Sequence, residues 1–298
     1  MLTVVVATYN NRAILERCLA QWEQHASGQP VEILVIADGC QDDTEAFLAQ
    51  RQQTDWGQRH LRWLVENNVH ELCCTNRGLA EARGSLVMSW HDDMHLQHPG
   101  LVPELIATFA AYQDIGLVSL SRGLNCRPAP RPTAWDQLFD WSRIESTIGR
   151  KGWNWFCLTE VDAVMRPWVV RRDCIAKVGP LDEAYKLSEW DEADLCFRIR
   201  AAGWNVATHG YERLGAYHHL GSSTIGRTMS DKYKAQVLAN GQLFHDRWSA
   251  MVDREANRER KDWLRRTGPT QWAWTLQRAL CYTLKTQCRP VVTVSHVQ

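Results

Sequence analysis

The stretch TVVVATYNNRAILERCLAQWEQHASGQPVEILVIADG, residues 3–39, decides the fold. Residues 3–7 are a short β-branched run, which reads as a strand. Asn10 or Asn11 then stands where a helix cap is needed, before apolar positions at Ile14, Leu15, Cys18, Leu19 and Trp22 that recur with helical spacing. Residues 32–37, EILVIA, are a second strand, and it ends at Asp38-Gly39. Outward from this unit the alternation continues. Asp42-Asp43-Thr44 opens a helix with acids where its dipole favours them. Residues 61–65 read as strand, 76–83 as a short helix, 86–90 as strand, 101–112 as helix and 115–120 as strand. The order predicts an α/β fold with a mostly parallel sheet and helices on both faces. Ligands of such sheets bind beyond the carboxyl ends of the strands. Thr8-Tyr9-Asn10, Asp38-Gly39 and Asp92-Asp93 follow three strand ends, so all three clusters are expected to face one crevice.

Composition narrows the function. The chain has 298 residues, 45% hydrophobic and 23% charged, ordinary for a globular protein and against disorder or fibrous repeats. Lys plus Arg and Asp plus Glu are 34 each, so a protein that binds nucleic acid through phosphates is disfavoured. Ten Cys include no CxxC pair and no zinc-like spacing, and Cys18, Cys174, Cys196 and Cys281 sit in apolar runs as small hydrophobes. The start shows no signal-peptide pattern and no window approaches a membrane span. A reduced, cytoplasmic protein is the expectation, with the inner face of the membrane as an open alternative.

Beyond residue 120 the character changes. Pro128, Pro130 and Pro132 break regular structure, and a Trp-rich stretch follows. A strand is expected over 161–170 and a helix over 192–202, stopped by Gly203. His218-His219 end a further strand, and the chain from about 228 reads as helical.

The adjacent carboxylates Asp92 and Asp93 at a strand end repel one another unless something neutralises them, and a hard divalent cation does so. A solvated turn is the plain alternative. Asp38 suits a base or ribose hydrogen bond, or simple Asp-Gly turn chemistry. Tyr9 suits stacking on a base or a half-buried position. Asp191, Glu192 and Asp194 open a helix, which the dipole alone accounts for, while a general base is the functional reading. His218 or His219 suits a metal or a phosphate, or an ordinary surface position.

In chain order, the stretches TVVVATYNNRAILERCL, EILVIADGCQDDTEA, NRGLAEARGSLVMSWHDDMHLQHPGL, VGPLDEAYKLSEWDEADLCFRIRAAGW and HHLGSS resemble the family-2 inverting glycosyltransferases of the GT-A fold, over roughly residues 2–248. The resemblance implies a transferase that uses a nucleotide-diphosphate sugar and a divalent metal, Mn2+ or Mg2+. Thr8, Tyr9, Asp38, Arg77, Arg83 and Asp92 would bind the donor nucleotide. Asp93 would ligate the metal, with His218 or His219 beside it. Glu192 or Asp191 would be the catalytic base, in a stretch the family usually writes Glu-Asp and this chain writes Asp-Glu. Two further departures are Thr75, where the family usually has Arg, and His91, where an acid is often found.

Trp153 and Trp155 are expected to meet the acceptor: a glycan, a lipid-linked sugar, a peptide or a small molecule. The expected organisation is a donor half over 1–120, an acceptor and catalytic half over 121–225, and a helical extension over 226–298. That tail is read as packing on the catalytic domain or joining a homodimer, with peripheral membrane contact through Trp272, Trp274 and Leu276 as an alternative. A sugar nucleotidyltransferase is disfavoured because ATYNNRA, after the first strand, is no Gly-rich phosphate loop. An inactive nucleotide-sugar or glycan-binding protein is disfavoured because Asp93 and the Asp191-Glu192 pair are present.

Overall fold

The computed structural model describes residues 1–98, 100–121, 123–134, 137, 142–143, 156–185, 189–209, 215–220, 230–266 and 268–283. The elements in chain order are β1 (Leu2–Thr8), α1 (Arg12–Ala26), β2 (Val31–Asp38), α2 (Thr44–Gln52), α3 (Asp55–His60), β3 (Leu61–Glu66), α4 (Glu71–Glu81), β4 (Leu86–His91), β5 (Met94–Leu96), α5 (Leu101–Ala111), β6 (Ile115–Ser119) and β7 (Gly123–Cys126). They continue with β8 (Ser142–Arg143), β9 (Cys157–Glu160), β10 (Ala163–Val164), β11 (Trp168–Arg171), α6 (Arg172–Val178), α7 (Asp191–Ala201), β12 (Asn205–Thr208), β13 (Tyr217–His219), α8 (Asp231–Glu255), β14 (Asp262–Leu264) and α9 (Pro269–Thr283).

The central sheet has nine strands in the order β14-β9-β12-β6-β11-β4-β1-β2-β3. The pairings make β1, β2, β3, β4, β6, β12 and β14 point one way and β9 and β11 the other. The expected mostly parallel sheet is therefore present. Successive residues of a strand face opposite sides, and here both sides are covered. Val4, Val6, Ile33 and Val35 meet Leu15, Leu19 and Trp22 of α1 and Leu105 and Phe109 of α5. On the other side Val5, Leu34 and Ile36 pack with Leu79 of α4, Leu195 and Ile199 of α7 and Phe244 of α8. A Cβ at Gly78 would lie 2.1 Å from Val5 Cγ1, so only glycine lets α4 come this close to β1.

The expected strand over 161–170 is broken in the structure. Pro167 lacks an N–H and interrupts the ladder, leaving β10 and β11 as separate short strands in different sheets. The expected helix over 76–83 is longer and starts at Glu71.

The tail is not purely helical: β14 pairs with β9 at the edge of the central sheet. Behind it Arg265, fully buried, gives the Glu104 carboxylate of α5 two hydrogen bonds of 2.7 and 2.9 Å and Thr275 of α9 a third of 2.9 Å. Trp274 stacks on His98 at 4.3 Å, and Trp272 packs at a tilt against Phe156 at 4.6 Å. Two of the side chains considered as membrane anchors thus pack on the protein, while Leu276 is exposed. Among the described residues no helix is long and apolar enough to cross a membrane.

Candidate active site

Register fixes where the strand ends lie. Thr8 is opposite Ala37, Ala7 opposite His91 and Asp38 opposite Glu66, so the ends of β1, β2, β3 and β4 share one edge. β11 runs the other way with its first residue, Trp168, opposite Ser89, which brings Arg166 to that same edge. The three expected clusters do face one place.

Asp92 turns back towards β1. Its Oδ2 accepts from Thr8 Oγ1 at 2.7 Å and from Asn11 Nδ2 at 3.1 Å. Asn11 occupies the cap position of α1, but its side chain makes no cap hydrogen bond there. Burial pushes the Asp92 carboxyl above its usual range, the two hydrogen bonds oppose this, and neighbouring Asp93 adds to it.

Asp93, 3% exposed, takes the other direction. Its Oδ1 lies 3.3 Å from His219 Nε2 and 4.0 Å from His91 Nδ1. The potential ligand atoms of His91, Asp93 and His219 all lie within 4.8 Å of one another. β13 pairs with β5 so that His219 is opposite Met94 and His218 opposite His95. Leu220 N donates to Asp93 O at 3.0 Å and fastens this strand to the acid. Of the two candidate histidines, His219 is beside Asp93 and His218 is outside that group, next to His95. Below this edge Trp90 packs edge-on against Trp22 at 5.2 Å and Tyr217 at 5.5 Å.

His91 was not among the expected site residues. Asp92 and Asp93 form the turn between β4 and β5, so the place of His91 at the strand end, next to the acid pair, was the available signal.

The acids of α7 are held by Arg166. Its Nε is 2.5 Å from Glu192 Oε1 and its Nη2 is 3.3 Å from Asp191 Oδ2. Trp168 Nε1 donates to the same Glu192 oxygen at 2.9 Å. Arg166 Nη1 also pairs with Glu71 Oε1, the atom that stands 2.8 Å from His91 Nε2. Burial pushes the Glu192 carboxyl up to about 6; Arg166 pulls it down, Asp191 raises it, and the Trp168 hydrogen bond lowers it. Such a carboxyl sits close to neutrality, where a general base works best. Asp194 has a different job: it accepts from Tyr185, Arg198 and Trp248 at 3.2, 2.7 and 2.9 Å and ties α7 to α8. Arg166, Trp168 and Glu71 were missed because they belong to no motif; only the fold brings them to the acids.

The remaining expected residues divide. Tyr9 is 49% exposed at the end of β1, free to offer a ring face. Asp38 is buried, and its two oxygens accept from Val69 N at 2.7 Å and His70 N at 2.9 Å, which closes the loop before α4. Arg77 is half exposed on α4 and pairs with Glu66 and Glu81. Arg83 is not brought to the site. Its N–H reaches Glu32, near the amino end of β2, at 3.1 Å, so it lies at the opposite edge of the sheet. Trp153 and Trp155 lie outside the described residues.

With this geometry in place, comparison with known proteins identifies the family. The family model described as "Glycosyl transferase family 2" matches residues 3–179. This chain belongs to that family. The match covers β1 to α6, while the acids of α7 and His219 lie beyond it. No curated protein matches the chain. Among solved structures, GalNAc-T7 with UDP, GalNAc and Mn2+ is similar at TM-score 0.61 and 13% identity, covering 85% of this chain and 49% of that one. The mannosyltransferase PcManGT from Pyrobaculum calidifontis, in complex with GDP-Man and Mn2+, gives TM-score 0.48 and 16% identity, covering 96% and 82%. S. aureus TarS 1-349 in complex with UDP-GlcNAc gives 0.48 and 12%, covering 94% and 81%. The α/β fold with its mostly parallel central sheet is the GT-A fold expected from the sequence.

Proposed function

We propose that this member of glycosyl transferase family 2 moves a sugar from a nucleotide-diphosphate sugar to an acceptor hydroxyl or thiol in one inverting displacement. The observation that carries the reading is the juxtaposition, at the carboxyl edge of the sheet, of the His91–Asp93–His219 group with a half-buried Glu192 clamped by Arg166.

A divalent cation fits the first group. One carboxylate and two imidazoles converge within 4.8 Å and form a mixed oxygen and nitrogen donor set, which suits Mn2+ better than all-oxygen Mg2+. When bound, the cation supplies charge neutralisation for the departing diphosphate. His91, Asp93 and His219 hold it, and Asp92 holds Asn11 and Thr8 in place behind them. Tyr9 offers its exposed ring to the base, and Asp38 shapes the base pocket by fixing the loop at residues 69–70.

Glu192 takes the proton of the acceptor as its oxygen or sulfur bonds to the anomeric carbon and the bond from that carbon to the phosphate oxygen breaks. We assign the base to Glu192 rather than Asp191 because its carboxyl is poised near 6. The acceptor, a glycan, a lipid-linked sugar, a peptide or a small molecule, would reach the edge beside β11. The test is Mn2+-dependent release of nucleoside diphosphate from a panel of nucleotide sugars with simple glycan acceptors, the product's anomeric configuration being read by NMR. An inverted product is expected; a retained one refutes the single displacement.

A further inference from the structure

Glu71 belongs to neither half of the proposed chemistry, yet with Arg166, which clamps Glu192, it joins the two. Glu71 is the first residue of α4, and its side chain is 44% exposed. One oxygen, Oε1, stands 2.8 Å from His91 Nε2 and pairs with Arg166 Nη1. Arg166 is only 10% exposed, and its remaining nitrogens go to Glu192 Oε1 and Asp191 Oδ2. The His91 ring therefore has its Nε2 side turned to Glu71 and its Nδ1 side turned to Asp93, 4.0 Å away. The 2.8 Å contact is an ion-pair distance without hydrogen-bond alignment, and a small turn of the Glu71 side chain would let it accept from the outer nitrogen; a carboxylate bound there fixes a metal-binding imidazole's tautomer and orientation and raises its basicity.

We propose that Glu71 is a positioning residue for the metal site, orienting His91 from behind, and that by sharing Arg166 with Glu192 it links the metal site to the base. The inference rests on the function proposed above. It goes further in naming two residues outside the metal group and the acid pair, and in stating that the two halves of the site are coupled through one guanidinium. Because Arg166 divides its positive charge between Glu71 and the two acids of α7, loss of Glu71 leaves that charge wholly to Asp191 and Glu192.

The test needs neither donor nor acceptor. Mn2+ affinity is measured by calorimetry on the full chain for wild type, Glu71→Ala and Glu71→Gln, with circular dichroism to confirm folding; half-exposed Glu71 tolerates truncation. Glu71→Ala is expected to bind Mn2+ about 10-fold or more weakly, within the range typical for such outer carboxylates. Glu71→Gln, which keeps an oxygen at that place without its charge, is expected between wild type and Glu71→Ala. In parallel, the Glu192 carboxyl, assigned by its loss in Glu192→Gln, is titrated by 13C NMR, and in Glu71→Ala it is expected to titrate at lower pH. Wild type that binds Mn2+ and Glu71→Ala that binds it equally well overturns the positioning role alone. An unmoved Glu192 titration overturns the link to the base. Wild type that binds no Mn2+ overturns the proposed function along with it.

Discussion

Glu192 Oε1 and Arg166 Nε are 2.5 Å apart, although the residues come from a helix and from the turn before an antiparallel strand. Arg166 opposes the rise in the carboxyl of half-buried Glu192, but desolvation prevails over the arginine, since the carboxyl is pushed up to about 6. The first prediction follows. Glu192→Gln keeps an acceptor for Trp168 and should fold, yet transfer should fall about 10²–10⁴-fold. Wild-type kcat should rise with pH through about 6 and level off above it, because only the carboxylate accepts a proton.

The same shift has a stability signature. A carboxyl whose folded value lies above its unfolded one binds more protons when folded, so its stabilising contribution is present at low pH and is lost as pH rises through about 6. Glu192→Gln cannot lose it. Its melting temperature relative to wild type should therefore climb between about pH 4.5 and 6.5, as differential scanning calorimetry at several pH values would show. A difference that falls over that window contradicts the assignment of burial as the dominant cause.

His218 and His219 are neighbours in sequence but stand opposite different residues of β5. His219→Ala should weaken Mn2+ binding about 10-fold or more, whereas His218→Ala should stay within twofold. Calorimetric titration of both variants decides this, and equal losses would contradict the placement.

Asp38 serves α4 from a distant strand, and its two charge-assisted hydrogen bonds should be worth about 1–3 kcal/mol together. Asp38→Ala should lower stability by that amount in urea unfolding and release the 67–70 loop. Hydrogen exchange at Val69 and His70 would report the release.

Truncating Arg265→Ala leaves Glu104 charged and buried, and should cost about 3–5 kcal/mol. Hydrogen bonding from His98 and attraction to Arg265 hold the Glu104 carboxyl well below its usual range against the opposing effect of burial. Its contribution is therefore present at neutral pH and is lost as pH falls below the usual carboxylate range. The double variant Glu104→Leu/Arg265→Met should recover much of the loss, again by urea unfolding.

Asp38 also shows where the sequence stops being readable. β1, β2 and β4 were legible because apolar runs end abruptly in polar clusters, and their parallel register then aligned Thr8, Asp38 and His91 without further information. The start of α4 was not, since the loop before it is held by a carboxylate from a distant strand rather than by a local Ser or Asp cap. β14 is three residues, Asp262–Leu264, too short between Lys261 and Arg265 to show a strand pattern; pairing with β9, not local preference, makes it a strand. The acids of the site and the late histidine were visible as motifs. Arg166 was hidden because an isolated arginine before a proline carries no pattern, and it becomes meaningful only when β11 brings it to the acids.

The most direct test of the account is the melting temperature of the purified chain against a panel of nucleoside diphosphates and nucleotide sugars, with and without Mn2+. A ligand that binds only the folded state stabilises it by about 2.7 kcal/mol at one hundred times its dissociation constant, a shift of several degrees. The account predicts such a shift for one nucleotide series, present only with Mn2+ and abolished in Asp93→Ala. A folded sample in which no nucleotide gives a Mn2+-dependent shift would contradict it.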